Sequence, residues 1–332
     1  MRLIAMAFAA FLPCAAVAGD AIVSRTVDGV ILPGFARLAA ATSALDRAAQ
    51  ADCRAENPGL RAAYAAAFDA WIGVETYRGG PMETDGRNLA IVFWPDPKGA
   101  TPKALTALVK AGEVPKGAEF AKVSVAARGL FALESMLYNP TFNTYAAQSP
   151  GCNLTQSIAA DLASVAQAAN SDWQNNFGPL MKTAGDAGNN QFLAPAEVVQ
   201  QLFTALMTEM EFTADIRLER PLGTLERPRP QRAEALISQR SLHNLTQSLT
   251  AIRTLAEALA GGNQGEMFDR LGYAEKIAAR LKDPVFAEVA TTSGRFRVQE
   301  LHDAIVAARA AMDAELGAKL GVKAGFNALD GD

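Results

Sequence analysis

Apolar residues recur at steps of three and four along most of the chain, and strand-like alternation is scarce. That spacing predicts amphipathic helices, each burying one stripe. In NPGLRAAYAAAFDAWIGVETY, Leu60, Tyr64, Ala67, Trp71 and Val74 share a face, and Asn57 followed by Pro58 supplies a helix start. The segment from Pro195 repeats the pattern with Val199, Leu202, Leu206, Met210 and Thr213. A third run, from Ser241 as N-cap, places Leu242, Leu245, Leu249, Ile252, Ala256 and Leu259 together. DPVFAEVA is expected to open another helix, and LHDAIVAARAAMDAELGAKL to close the set.

Breakers divide these helices. Residues 78–102 form the longest irregular stretch, and the short apolar run NLAIVFW inside it fits a strand, a buried loop or a helix equally. GPLMKTAGDAGNNQFLAP reads as a mid-chain connection, and the prolines of PLGTLERPRPQR deny that stretch a helix. The expected fold is all-α: two packed helical bundles, 19–180 and 190–332, joined near residues 178–195.

The first 18 residues read as an export signal, with Arg2, a short apolar stretch and AVA at 16–18. Cleavage there removes Cys14 and takes 31 basic residues to 30 against 35 acidic ones, a net charge of −5. Cys53 and Cys152 remain, and in an oxidising compartment they are expected to pair. No other stretch has the apolar length of a spanning helix. No basic block points to nucleic acid.

One acid breaks the pattern. Val123, Ala127, Leu130, Glu134 and Leu137 step by four, three, four and three, so Glu134 takes a position otherwise kept for the core. Either it lies at the edge of the stripe, in water or in a purely structural ion pair, or it belongs to a polar site between the bundles. Gly129, one turn earlier, leaves room for close approach. Arg78 and Arg87 in the irregular stretch are candidate bidentate partners for the carboxylate, and Asp96 and Trp94 lie in the same stretch. Trp71 reads as core or as a ligand platform. From the second bundle, Arg240 and Asn244 are candidates to line the seam, while Ser241 is better explained as a cap.

Other chemistry finds little support. The two histidines, His243 and His302, have no second His or Cys at ligand spacing, and there is no H-E-x-x-H, glycine-rich dinucleotide fingerprint or phosphate loop. Asp330 and Asp332, in the terminal NALDGD, are a calcium or arginine-binding candidate on a tail.

Several blocks in order resemble the imelysin-like family of exported bacterial proteins: AAFDAWIGVETYRGGP, GRNLAIVFWPD, ARGLFALESMLY, RPQRAEALISQRSLHNL and GFNALDGD. The resemblance implies two related helical bundles with a site at their interface. It also implies a periplasmic or outer-membrane-associated setting, a link to iron uptake and a peptidase label. The family motif G-x-H-x-x-E falls on Gly129 to Glu134, with Phe131 in place of the histidine. A His and a Glu three residues apart can share one metal, whereas phenylalanine offers no lone pair. Iron or another divalent ion on Glu134 therefore needs further oxygens. The expected function is a non-catalytic binding or accessory protein of iron or haem uptake, with envelope uptake components as partners. The alternatives are a metallopeptidase whose variant site adds Glu75 or Asp96, and a structural envelope module.

Overall fold

The computed structural model describes residues 14–323, so the start of the export signal and the terminal Asp330 and Asp332 lie outside the described residues. The described helices are α1 (Cys14–Thr26), α2 (Leu32–Ala51), α3 (Pro58–Ile72), α4 (Arg87–Ile91), α5 (Ala100–Ala111), α6 (Gly129–Tyr138) and α7 (Pro150–Asp172), followed by α8 (Gly178–Lys182), α9 (Pro195–Glu211), α10 (Glu219–Leu222), α11 (Ser241–Ala260), α12 (Glu266–Arg280) and α13 (Thr292–Leu320). No strand occurs among the described residues. No described helix is long and apolar enough to cross a membrane.

The long helices follow their stripes. The Asn57 side chain accepts from the amides of Gly59 and Leu60, and Leu60, Tyr64, Ala67 and Trp71 are buried along α3. On α9, Val199, Leu202, Leu206 and Met210 are buried, and Pro195 occupies the first turn. On α11, Leu245, Leu249, Ile252, Ala256 and Leu259 are buried, and Gly261, in the left-handed region, ends the helix. Ser241 is not the cap expected of it. Arg240 holds that position, and the Ser241 hydroxyl donates instead to the carbonyl of Glu234 at 2.5 Å.

Three local expectations change. Val123 and Ala127 do not share a helix with Glu134, because Arg128 is extended and Gly129 has φ +73°, so α6 begins only at Gly129. NLAIVFW gives the short helix α4 and then extended chain from Val92. DPVFAEVA yields a 3-10 turn at Ala287–Ala290: Asp283 captures the amides of Val285 and Glu288, and Phe286 enters the left-handed region.

Helices α2 to α7 pack around one another, with α7 lying along α2, and α9, α11, α12 and α13 pack around one another. One hydrophobic cluster runs through both groups, and α3 meets α11 at the seam. α1 sits with the second group, on α9 and α11. Three π-helical segments, Val27–Ile31, Trp173–Phe177 and Phe212–Leu218, join helices without a break in helical direction. Cys53 and Cys152 are bridged, which ties the end of α2 to the start of α7. Replacing both cysteines by serine is expected to lower unfolding free energy by about 2–4 kcal/mol, because the crosslink closes a long loop of the unfolded chain. A urea midpoint unchanged by the substitution would show that the bridge does not contribute to stability.

Candidate functional site

Glu134 points into the seam. It is 4% exposed and accepts from both the amide (3.0 Å) and the hydroxyl (2.6 Å) of Ser238, on the loop before α11. The partners expected from sequence are engaged elsewhere. Arg87 donates to the Pro81 carbonyl and pairs with Asp172 at 2.5 Å. Arg78 lies 3.7 Å from Glu75 and stacks on Phe212. Arg87, at the start of α4, meets an acid of α7, and Arg78 meets one in the chain just after α3. Burial pushes the Glu134 carboxyl up to about 7 against the two Ser238 hydrogen bonds, and the nearby Glu234 charge adds to the rise. The Tyr64 hydroxyl, buried in the same region, has no hydrogen-bond partner.

The motif position before it is filled by stacking. Phe131 lies flat against Trp94, with centroids 6.0 Å apart, and meets Phe68 edge-on. Trp94 in turn meets Phe212 edge-on, so aromatic rings line the seam. Arginines cover several of them: Arg240 over Phe68, Arg220 over Trp94, and Arg78 and Arg217 over Phe212. Gly129 is required by backbone rather than by a ligand, because a Cβ there would stand 2.2 Å from the Ile91 carbonyl oxygen of α4. Trp71 is core, and its indole nitrogen has no hydrogen-bond partner. Asp96 caps α5 by accepting from the amides of Ala100 and Thr101. Burial opposes its charge, yet those amides hold the carboxyl below its usual range.

Arg240 and Asn244 do reach the seam. Arg240 pairs with Asp69 of α3, which also meets His243 Nε2 at 2.8 Å. Asn244 donates to Glu234, at the rim of a buried polar cluster. At its centre is Arg217, 1% exposed. Its Nη2 lies 2.5 Å from Glu75, its Nη1 3.0 Å from Glu209 and its Nε 2.9 Å from Glu234. The Ser248 hydroxyl donates to Glu209. The three carboxylates come from the chain after α3, from α9 and from the loop before α11, so one side chain holds three segments. Burial, together with the charges of Glu209 and Glu234, drives the Glu75 carboxyl well above its usual range despite Arg217. Beside this cluster a cavity of about 490 Å³ opens, lined by Arg78, Tyr77, Trp173, Gln201, Thr208 and Glu209.

Sequence reasoning missed Arg217, Glu209, Glu234 and Ser238. A signal existed for Glu209, which is three residues after Leu206 and four before Thr213 and so interrupts a core stripe as Glu134 does. No such signal marks Ser238, whose backbone amide supplies one of the two hydrogen bonds.

Two measurements probe the seam. A folded carboxyl near 7, against a usual 4.5, keeps a proton that the unfolded chain releases. Its contribution is therefore full below about 4.5 and is lost as pH rises through 7, a swing of about 3 kcal/mol. In urea melts between pH 4.5 and 8, Glu134→Gln should show a flatter dependence than the parent; parallel curves would refute the effect of burial. Arg217→Ala should cost about 3–5 kcal/mol, because it leaves buried carboxylates without their cation. A loss indistinguishable from that of a surface arginine would show that the cluster is not holding the seam.

The family model described as Imelysin matches residues 31–312. The chain is 24% identical to iron-regulated protein A of Synechococcus elongatus over 278 residues, which is 79% of this chain and 71% of that one. Among solved structures it is similar to an imelysin-like protein from Psychrobacter arcticum, with TM-score 0.78, 21% identity, and 94% and 98% of the two chains covered. It is also similar to a protein named as an iron-regulated protein A precursor from Parabacteroides distasonis, with TM-score 0.70, 12% identity, and 93% and 97% covered. With its family model spanning most of the sequence and its all-helical fold matching in outline, this chain belongs to the imelysin family.

Proposed function

We propose that this protein is a non-catalytic binding or accessory component of iron or haem acquisition, exported to the periplasm after loss of residues 1–18. Its ligand is received at the seam between the helical groups. The observation that carries the reading is the state of the motif. Where the family places a histidine, Phe131 is packed between Trp94 and Phe68, and Glu134 is already satisfied by Ser238. Among the described residues, no group of three metal-ligating side chains includes Glu134. A lone carboxylate with two hydrogen bonds is a poor divalent-metal site, so the residues present do not fit the family's metal. Asp96 and Glu75, which a variant metal site would need, are committed to a helix cap and to Arg217.

What the seam does offer is a cavity with an arginine at its wall, aromatic rings nearby and buried acids behind it. That combination suits a planar or anionic ligand such as haem or a chelated ferric ion, through stacking and charge-assisted hydrogen bonds. The names of the relatives from Synechococcus elongatus and Parabacteroides distasonis, both iron-regulated, support the iron connection. The absence of a described membrane-spanning helix is compatible with export.

Calorimetric titration of the purified chain with haem, ferric citrate, ferrous ion and zinc tests the reading. Haem or ferric citrate is expected to bind, and Arg78→Ala is expected to weaken that binding at least tenfold, the effect of losing about 1.4 kcal/mol. No heat with any of the four would remove the iron role. Chelator-sensitive proteolysis that vanishes in Glu134→Ala would replace the reading with a variant metallopeptidase.

A further inference from the structure

His302 has no second His or Cys at ligand spacing in the sequence, yet the fold brings two distant carboxylates to it. It projects from α13 towards the π-helical segment Phe212–Leu218 and the start of α10, where Asp215 and Glu219 are four residues apart. His302 Nε2 lies 3.3 Å from Glu219 Oε1 and 3.8 Å from Asp215 Oδ1. One ligand atom from each of the three residues falls within 4.8 Å of the others. We propose that Asp215, Glu219 and His302 bind a divalent first-row transition cation, at a site separate from the seam and independent of its proposed role.

The imidazole is the observation that points to a ligand. Its side chain is 12% exposed, and Nε2 itself is buried with no hydrogen-bond partner. The other ring nitrogen, Nδ1, lies 3.0 Å from Asp303 Oδ1 and 3.3 Å from Gln299 Nε2, which donates to that same oxygen at 2.9 Å. A proton on Nδ1, donated to Asp303, leaves the Nε2 lone pair facing two carboxylate oxygens. Three sets of lone pairs then converge on one point and repel. A cation between them turns that repulsion into coordination. The carboxylate behind the ring fixes its orientation, as outer partners of metal-bound histidines do.

The distances suit this chemistry. Bonds of about 2.0–2.2 Å hold adjacent ligand atoms roughly 3.0–3.4 Å apart in tetrahedral or octahedral geometry. The His302–Glu219 pair is already at that spacing. Asp215 and Glu219 are exposed enough for their side chains to close the remainder. One imidazole and two carboxylates, with no sulfur, favour Zn²⁺, Mn²⁺ or Fe²⁺ over soft cuprous ion. Three protein ligands leave further positions to water or to a ligand atom. The π-helical turn bears on this too, since such turns collect at functional sites.

The test titrates the chelator-treated full chain with Co²⁺, following its visible absorption, and with Zn²⁺ and Mn²⁺ by calorimetry. One equivalent is expected to bind. Binding should be lost in His302→Ala and in the Asp215→Asn/Glu219→Gln pair, and weakened about 10-fold or more in Asp303→Asn. Glu134→Gln should leave it unchanged, which separates this site from the seam. If His302→Ala fails to fold, the two carboxylate changes, whose side chains reach solvent, decide the matter in its place. The proposal is overturned if the parent chain shows no cobalt bands and takes up no Zn²⁺ or Mn²⁺. That result would leave the three side chains as a plain polar contact. Uptake unaltered by the His302 and carboxylate changes would overturn it equally.

Discussion

A guanidinium with almost no access to water must be answered on every side, and that requirement organises the seam of this protein. Arg217 has five N–H donors in a rigid plane, and three carboxylates from three different segments meet them. Glu75 follows α3, Glu209 lies on α9 and Glu234 precedes α11, so no two of these segments can shift independently without exposing a charge to a dry interior. The acids outnumber the arginine at the centre. Arg78 at the edge reduces the imbalance, and burial with the neighbouring acids pushes the Glu75 carboxyl towards its neutral form. The cluster therefore fixes the register of the halves more than it adds net stability, because hydrophobic side chains of similar volume often serve stability as well.

Glu134 follows the same rule by different means. Among the described residues no cation pairs with it, so a backbone amide and a hydroxyl supply its hydrogen bonds and burial keeps it close to protonation at neutral pH. The aromatic rings beside it exclude water and raise the cost of its charge. The ring and the acid form one package: Phe131, which offers no lone pair to a metal, also helps keep water from the carboxylate.

Much of the fold was legible because its long helices each bury a single stripe, as Leu60 to Trp71 and Leu245 to Leu259 do. The disulfide was legible from the two cysteines left in a chain that reads as exported. Glu134 was legible as an anomaly, but its partner was not. Arginine pairing across a seam depends on which loops meet, and no spacing encodes that. A backbone donor such as that of Ser238 leaves no mark in composition. The start of α6 was misplaced because apolar periodicity continued through Gly129, while the positive φ needed for contact with α4 broke the helix. The contact of His302 with Asp215 and Glu219 left no mark in spacing, because those acids lie in other segments brought close only by tertiary packing.

The helical run from Cys14 through the π-helical turn to Ala51 has one further consequence. Its first part rests on α9 and α11, while its second part is clasped by α3 and α7. Its first part thus settles only against helices that come much later in the chain. Scission at the 178–195 connection would not yield two self-sufficient fragments, since the later one would be missing a strut that only the earlier one carries. The molecule is interlocked by chain order, and its assembly has to be completed as a whole.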